Sequence, residues 1–176
     1  MNDIPEELRA LLDREKIRDC IARLARGEDR RDAGLIRASY WPDATTDFGI
    51  FAGSFSQYLA WVVPGSPAIR VTQHVLGQSV IELKGGSAAA ETHVASYHRI
   101  NMGAEERDVT IGGRYLDKLE KRDTEWRIVR RVMLYDWLRD SGVSVDWSKG
   151  IMGSAFSAGH YTGRAASDYS ETFFGK

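Results

Sequence analysis

Cysteine is nearly missing from this chain of 176 residues: Cys20 is the single thiol, so no intramolecular disulfide can form. Its place among the apolar positions of a predicted helix marks it as a small core residue rather than a nucleophile. Charge of one sign is lacking too. Lys and Arg number 24 against 25 Asp and Glu, a net charge of −1, which leaves no electrostatic footprint for nucleic acid or an anionic membrane. No apolar run approaches the ~18–20 residues that span a bilayer. The opening Met1-Asn2-Asp3-Ile4-Pro5-Glu6-Glu7 lacks the basic-then-apolar layout of a signal peptide, so the expected address is a reducing cytoplasm.

Chemical motifs are equally sparse. The sequence has no paired Cys-x-x-Cys, no His-Glu-x-x-His and no Gly-x-Ser-x-Gly elbow. Gly112-Gly113 is followed by strand-like rather than helical sequence, so it reads as a bend or a close backbone approach and not as a phosphate cradle. Of the four histidines, His93 and His98 lie five apart in a predicted strand and face opposite sides, while His74 and His160 stand elsewhere. Neither a metal nor a cofactor is expected.

What is present is ordinary globular composition, 43% hydrophobic and 28% charged. A single domain of this size buries roughly 70% of its unfolded surface, enough for a core and a pocket. Leu8, Leu11, Leu12, Ile17, Ile21 and Leu24 recur at helical spacing and predict a first helix that starts near Pro5 and ends, or turns, at Gly27. Asp32 caps a second helix carrying Leu35, Ile36 and Tyr40 that stops before Pro42, and residues 43–49 form a turn into a short strand. A third helix opens at Ser54 or Ser56, carries Phe55, Tyr58, Leu59, Trp61 and Val62, and closes at Pro64-Gly65. Four strands then follow over 71–83, 88–101, 107–121 and 126–138, joined by short turns that imply antiparallel hairpins. Helices followed by long hairpins make an α+β plan, with helices on one face of a curved sheet. Residues 141–176, rich in Gly, Ser and Ala, read as a tail that packs on the domain 1–140 or on a neighbouring subunit.

Strand alternation nominates residues for the interior. Arg127, Val129, Arg131, Met133 and Tyr135 share one face of the last strand, and Val109, Ile111, Gly113 and Tyr115 one face of the strand before it. Ala88, Ala90, Thr92, Val94 and Ser96 lie with His98. If these faces meet the helices, His98, Tyr115 and Arg131 point inward, and a buried arginine requires an anion beside it. His74 and Asp29, in Gly27-Glu28-Asp29-Arg30-Arg31-Asp32, are connected by no spacing rule, but a fold that laid the first helical hairpin over the mouth of the sheet would bring them together.

Several stretches in their order resemble the SnoaL-like branch of the nuclear-transport-factor-2-like superfamily: Gly27–Asp32, Tyr40-Trp41-Pro42-Asp43-Ala44, Thr72-Gln73-His74, Ile111-Gly112-Gly113-Arg114-Tyr115 and Trp126–Arg131. The resemblance covers about residues 8–138 and extends to hexachlorocyclohexane dehydrochlorinase, scytalone dehydratase and bile-acid 7α-dehydratase. It implies a cone-shaped barrel of strongly curved, mostly antiparallel sheet around about three N-terminal helices. It further implies a His–Asp dyad, here His74 and Asp29, accompanied by a basic residue on the last long strand, here Arg131. On that footing the chain is expected to be a cofactor-independent lyase or isomerase for a small hydrophobic cyclic molecule. His74, neutral at pH 7, would take a proton from carbon, and Arg131 would meet developing negative charge. The pocket is assigned to Leu24, Phe48, Tyr58, Trp61, His98, Tyr115, Met133 and Tyr135. In the relatives a lysine or tyrosine stands five residues before the dyad aspartate; here that position is Leu24, so either Tyr58, Tyr135 or His98 supplies its function, or the reaction, as in an isomerase or an epimerising enolisation, does not need it, or activity is lost. A homotrimer or homodimer is implied. A non-catalytic small-molecule carrier and the structural small subunit of a ring-hydroxylating dioxygenase are the competing readings.

Overall fold

A computed structural model describes residues 5–146, 150–157 and 168–174. The first helix, α1 (Glu6–Arg30), does not stop at Gly27; it continues one turn further and closes at Arg31, whose φ of 52° is left-handed. Gly27 serves a different purpose: a Cβ there would lie 2.9 Å from Ile36 Cγ1, so glycine lets the next helix cross α1 closely. Ile17, Cys20, Ile21 and Leu24 are buried, whereas Leu8, Leu11 and Leu12 are exposed because the early turns extend past the core. The Arg31 guanidinium bonds the carbonyls of Pro64, Ser66 and Ile69 and ties the end of α1 to the later chain.

Asp32 caps α2 (Ala33–Arg37) by accepting from the Gly34 and Leu35 amides. The helix is shorter than its sequence suggests. Tyr40 and Pro42 belong instead to β1 (Tyr40–Asp47), which also takes in most of the segment expected to be a turn. Pro42 falls in the irregular stretch of β1's pairing, where its missing N–H costs nothing. After β2 (Ala52–Ser54), Ser54 and Gln57 form a capping box at the start of α3 (Phe55–Val62). The hairpins are β3 (Ile69–Lys84), β4 (Ser87–Asn101), β5 (Glu106–Arg122) and β6 (Glu125–Val143), close to the predicted bounds, and α4 (Tyr169–Phe173) follows. The strands form one sheet in the order β2-β1-β6-β5-β4-β3, antiparallel except for the β1–β6 pair. β2 and β3 are free edges, so the cone is an open curved sheet and not a closed barrel.

Several bulges interrupt the pairing of its strands, and two of them, in β6, bear on the site. Lys118 pairs with Arg130 and Leu119 with Ile128, which leaves Val129 as an extra residue. Strict alternation therefore fails: Trp126 and Ile128 are buried on one side of the bulge, Arg131 and Met133 on the other, and Arg127 and Val129 do not share their inward face. At the second irregularity Gly112 pairs with Trp137 and Gly113 with Tyr135, so Asp136 is extra. Here a Cβ on Gly113 would sit 2.0 Å from the Leu134 carbonyl and one on Gly112 1.9 Å from the Trp137 ring, the close approach the Gly-Gly pair predicts.

The core joins Ile17, Cys20, Ile21 and Leu24 of α1 to Ile36, Tyr40, Leu119, Trp126 and Ile128. Cys20 lies within it, its thiol directed at the Ser39 carbonyl and its pKa pushed up to about 11 by burial. A second cluster of Val94, Tyr115 and Met133 stands deeper along the sheet. Of the segment read as a tail, residues 141–143 extend β6, and the α4 region lies on α1. There Asp168 pairs with Arg30 at 2.7 Å and Glu171 with Arg26 at 2.5 Å. Residues 147–149, 158–167 and 175–176, with His160, lie outside the described residues.

Candidate active site

The extra turn of α1 builds the site. Successive helical residues point about 100° apart, so Glu28 and Asp29 reach His74 of β3 from two directions. Asp29 accepts the His74 backbone N–H at 3.0 and 3.1 Å, and its Oδ1 lies 2.7 Å from Nδ1 of the ring. That contact fixes Nδ1 as the protonated nitrogen and leaves Nε2 as the reactive one. Nε2 meets the second carboxylate, with Glu28 Oε2 at 3.7 Å. Burial is the largest influence on the imidazole and pushes its pKa down; the Asp29 hydrogen bond and the Glu28 charge outweigh it and hold the pKa above the ordinary histidine value.

A cavity of about 210 Å³ opens beside this group. Phe48, Tyr58, Trp61, His98, Tyr115, Met133 and Tyr135 all line it, with Glu28, Arg31, Thr72, His74 and Ser96. Phe48 stacks on Tyr58 with ring centroids 5.3 Å apart, and Phe51 stacks on Trp61 at 5.0 Å. Asp29 stands behind His74, on a separate hollow shared with Ala22, Ala25 and Leu76. Two assignments do not hold. Leu24 is fully buried among the core residues and does not reach the cavity. Arg131 is likewise beneath the wall, 1% exposed. Its Nε and Nη2 each donate to Asp117 at 2.8 Å, and its guanidinium lies 4.0 Å from the Tyr115 ring centre. A guanidinium so engaged steadies the site from below and cannot meet charge on a bound molecule.

Of the groups proposed to replace a polar residue at position 24, the Tyr58 hydroxyl donates to Glu28 Oε1 and the Tyr135 hydroxyl to the Phe48 carbonyl at 2.7 Å. Burial and the neighbouring Glu28 push the Tyr58 pKa well up, so it stays a phenol. His98 keeps its Nδ1 3.2 Å from the Ser96 carbonyl, and burial, followed by the charge of His74, pushes its pKa down. A neutral His98 with Nδ1–H given to that carbonyl presents Nε2 as an acceptor. Glu28 was absent from the sequence assignments, yet its signal was there: it continues the buried Ile17, Ile21, Leu24 stripe, and a carboxylate in a core stripe needs a reason. Among the described residues no group of three or more His, Cys, Asp or Glu side chains is placed to hold a metal ion, and no helix is long and apolar enough to cross a membrane.

An open, strongly curved sheet wrapped on N-terminal helices with a histidine-bearing cavity inside is the cone fold of the nuclear-transport-factor-2-like superfamily. Within it the chain belongs to the SnoaL-like domain family, whose profile matches residues 9–132. Among solved structures it is similar to a hexachlorocyclohexane dehydrochlorinase of type 2, 18% identical, with a TM-score of 0.69 over 89% of this chain and 100% of that one. It is also similar to the Kfla4162 protein of Kribbella flavida, 20% identical, with a TM-score of 0.68 over 74% and 95%. A third is a protein of Novosphingobium aromaticivorans named provisionally as a scytalone dehydratase, 18% identical, with a TM-score of 0.65 over 86% and 97%. At such identities these likenesses establish the fold. No curated protein matches the chain.

Proposed function

We propose that the chain is a cofactor-independent lyase or isomerase that moves a proton to and from carbon in a small, hydrophobic cyclic substrate. The observation that carries this reading is the 2.7 Å contact of His74 with Asp29 at the wall of an apolar cavity. In its neutral form His74 takes the proton at Nε2, while Asp29 holds Nδ1–H and stabilises the imidazolium that forms. Aromatic side chains make up much of the wall, and an ion pair against such apolar surface is stronger than one in water. Membership of the SnoaL-like family, and the dehydrochlorinase and dehydratase names of similar structures, support the lyase class.

The experiment that tests the reading needs no knowledge of the leaving group. Cyclic ketones such as 1-indanone are incubated in deuterium oxide, and exchange next to the carbonyl is followed by NMR. Catalysed exchange in the wild type that vanishes in His74→Ala is expected. Exchange that persists in the variant, or that the wild type never accelerates across a panel of such ketones, makes the chain a carrier and removes the enzyme. The same reading includes a homotrimer or homodimer. It is supported by Val80, Leu116 and Val132, which share a hollow on the side of the sheet opposite buried Ile81, Tyr115 and Arg131; light scattering on a sizing column reads the mass.

A further inference from the structure

The guanidiniums around α1 and the floor of the cavity each have a carboxylate, with one exception. Arg26 has Glu171, Arg30 has Asp168 and Arg131 has Asp117. Arg31, which lines the cavity, has none among the described residues. It donates instead to three backbone carbonyls, from Nη1 to Pro64 at 2.7 Å and from Nη2 to Ser66 at 3.2 Å and Ile69 at 2.8 Å. The acids next to it in sequence are turned elsewhere: Glu28 to Tyr58, Asp29 to His74 and Asp32 to the amides that open α2. Three carbonyl dipoles orient the guanidinium without cancelling its full charge. They also leave Nε–H and the second Nη1–H of its five N–H groups without a protein acceptor. The result is a fixed, uncompensated cation at the rim of a largely apolar cavity, where low-dielectric walls strengthen its field.

We infer that Arg31 determines specificity by taking a carboxylate at the rim, so that the molecule the cavity selects is a small cyclic acid. This deepens, and rests on, the reading of the cavity as the site for a small cyclic molecule. A guanidinium held in place has already lost the freedom that a mobile one gives up on binding, and its planar N–H groups suit a carboxylate oxygen. The ring of the acid then lies among Phe48, Tyr58, Trp61 and Tyr115, with His74 in the wall beside it. Glu28 sets the limit on ligand charge. It lines the same cavity three residues before Arg31, a spacing at which opposite charges ordinarily meet on a helix, yet the two do not pair. The cavity therefore carries both signs of charge at separate places, and a doubly charged phosphate brings more negative charge against Glu28 than one guanidinium offsets.

The test is a matched pair of ligands, indane-2-carboxylate and indane-2-carboxamide, which have nearly the same shape and differ in charge. Affinities are read from quenching of tryptophan fluorescence, since Trp61 lines the cavity. The wild type is expected to bind the acid about tenfold more tightly than the amide, the gain of charge-assisted over neutral hydrogen bonding. Arg31→Gly removes the guanidinium at a position whose φ of 52° suits glycine, and should abolish the preference or invert it in favour of the amide. Arg31→Gln keeps an amide donor for the carbonyls without the charge and should do the same; if one variant does not fold, the other decides. A protonated His74 could also attract the acid, so the wild type is measured again on the alkaline side of the His74 titration, where the preference should persist. Equal wild-type affinities, a tenfold preference that survives in either variant, or a preference that disappears as His74 loses its proton overturn the inference. Failure of the two ideas is distinguishable: a wild type that exchanges deuterium but shows no preference loses only the role of Arg31, whereas a preference without exchange leaves a carrier of cyclic acids.

Discussion

Replacing Asp29 by Asn changes one atom and tests the pairing on which the site depends. The carboxylate accepts three contacts from His74, two from the backbone N–H and one at the ring. An amide offers one acceptor oxygen. If that oxygen keeps the backbone N–H, the amide NH2 faces Nδ1 and the neutral ring must carry its proton on Nε2, where it can no longer take one from carbon. If the oxygen keeps Nδ1–H, the amide N–H groups oppose the backbone donor. Either way a charge within contact of the imidazole is lost, which lowers a histidine pKa by about 1–2 units. Loss of a correctly placed general base costs about 10²–10⁴ in rate. The loss of hydrogen bonds to a charged acceptor costs about 1.5–3 kcal/mol of stability. Deuterium exchange gives the rate, urea unfolding the stability, and NMR of 13C-labelled histidine follows the ring directly. The Asp29→Asn ring should titrate at lower pH than the wild type, and kcat/KM should fall at least a hundredfold. A ring that titrates at or above the wild-type pH, or a rate within threefold, would refute the reasoning.

Four other outcomes are expected. Because the folded pKa of His74 lies above its unfolded value, its contribution to stability is fully present below ~6.5 and is lost as pH rises through the folded pKa; urea unfolding at successive pH values should show this fall, and His74→Gln should flatten it. Over the same window kcat/KM should rise, since the base is the neutral ring. Arg131→Met strands Asp117, a fully buried carboxylate, and should cost about 3–5 kcal/mol, much of it recovered when Asp117→Leu is added; equal loss in the single and double variants would show that the pair does not act as a unit. Leu24→Lys, which restores the residue type found in relatives, should cost several kcal/mol by thermal melting, because position 24 lies in the core with no access to the cavity; unchanged stability would show that α1 can turn to present it.

The fold was largely legible because its signals are local. Hairpin turns separate long β-branched runs, the cap at Asp32 marks the start of α2, and of the two serines offered for α3 it is Ser54 that caps it. What misled was any rule carried across an irregularity. Gly27 looks like a helix stop when read alone, but the same missing Cβ equally admits a crossing helix, and only the position of Ile36 decides between them. Alternation along the last strand holds from Arg131 to Tyr135 and fails before it, since nothing in Glu125–Val132 announces that Val129 is an extra residue. Pocket residues on the sheet and α3 were legible for the opposite reason: they lie where alternation or helical spacing runs unbroken, as at Tyr115 and at Tyr58 with Trp61.

These two misreadings bear on one another, because together they hid the polar centre of the site. A helix ending at Gly27 makes Glu28 a surface turn residue; a helix reaching Arg30 makes it the next member of the buried stripe, one turn beyond Leu24. A buried glutamate then requires counter-charge, and the bulge at Val129 is what lets the chain place Arg131 beneath it while Ile128 still fills the core. Arg131 is engaged with Asp117, so the ionisable groups α1 and β3 themselves bring to the cavity are Glu28 and His74, with the Arg31 guanidinium at its edge tied to backbone carbonyls. Leu24 lies in the core and does not line the cavity; the polar side chain that α1 presents there is Glu28, four residues on.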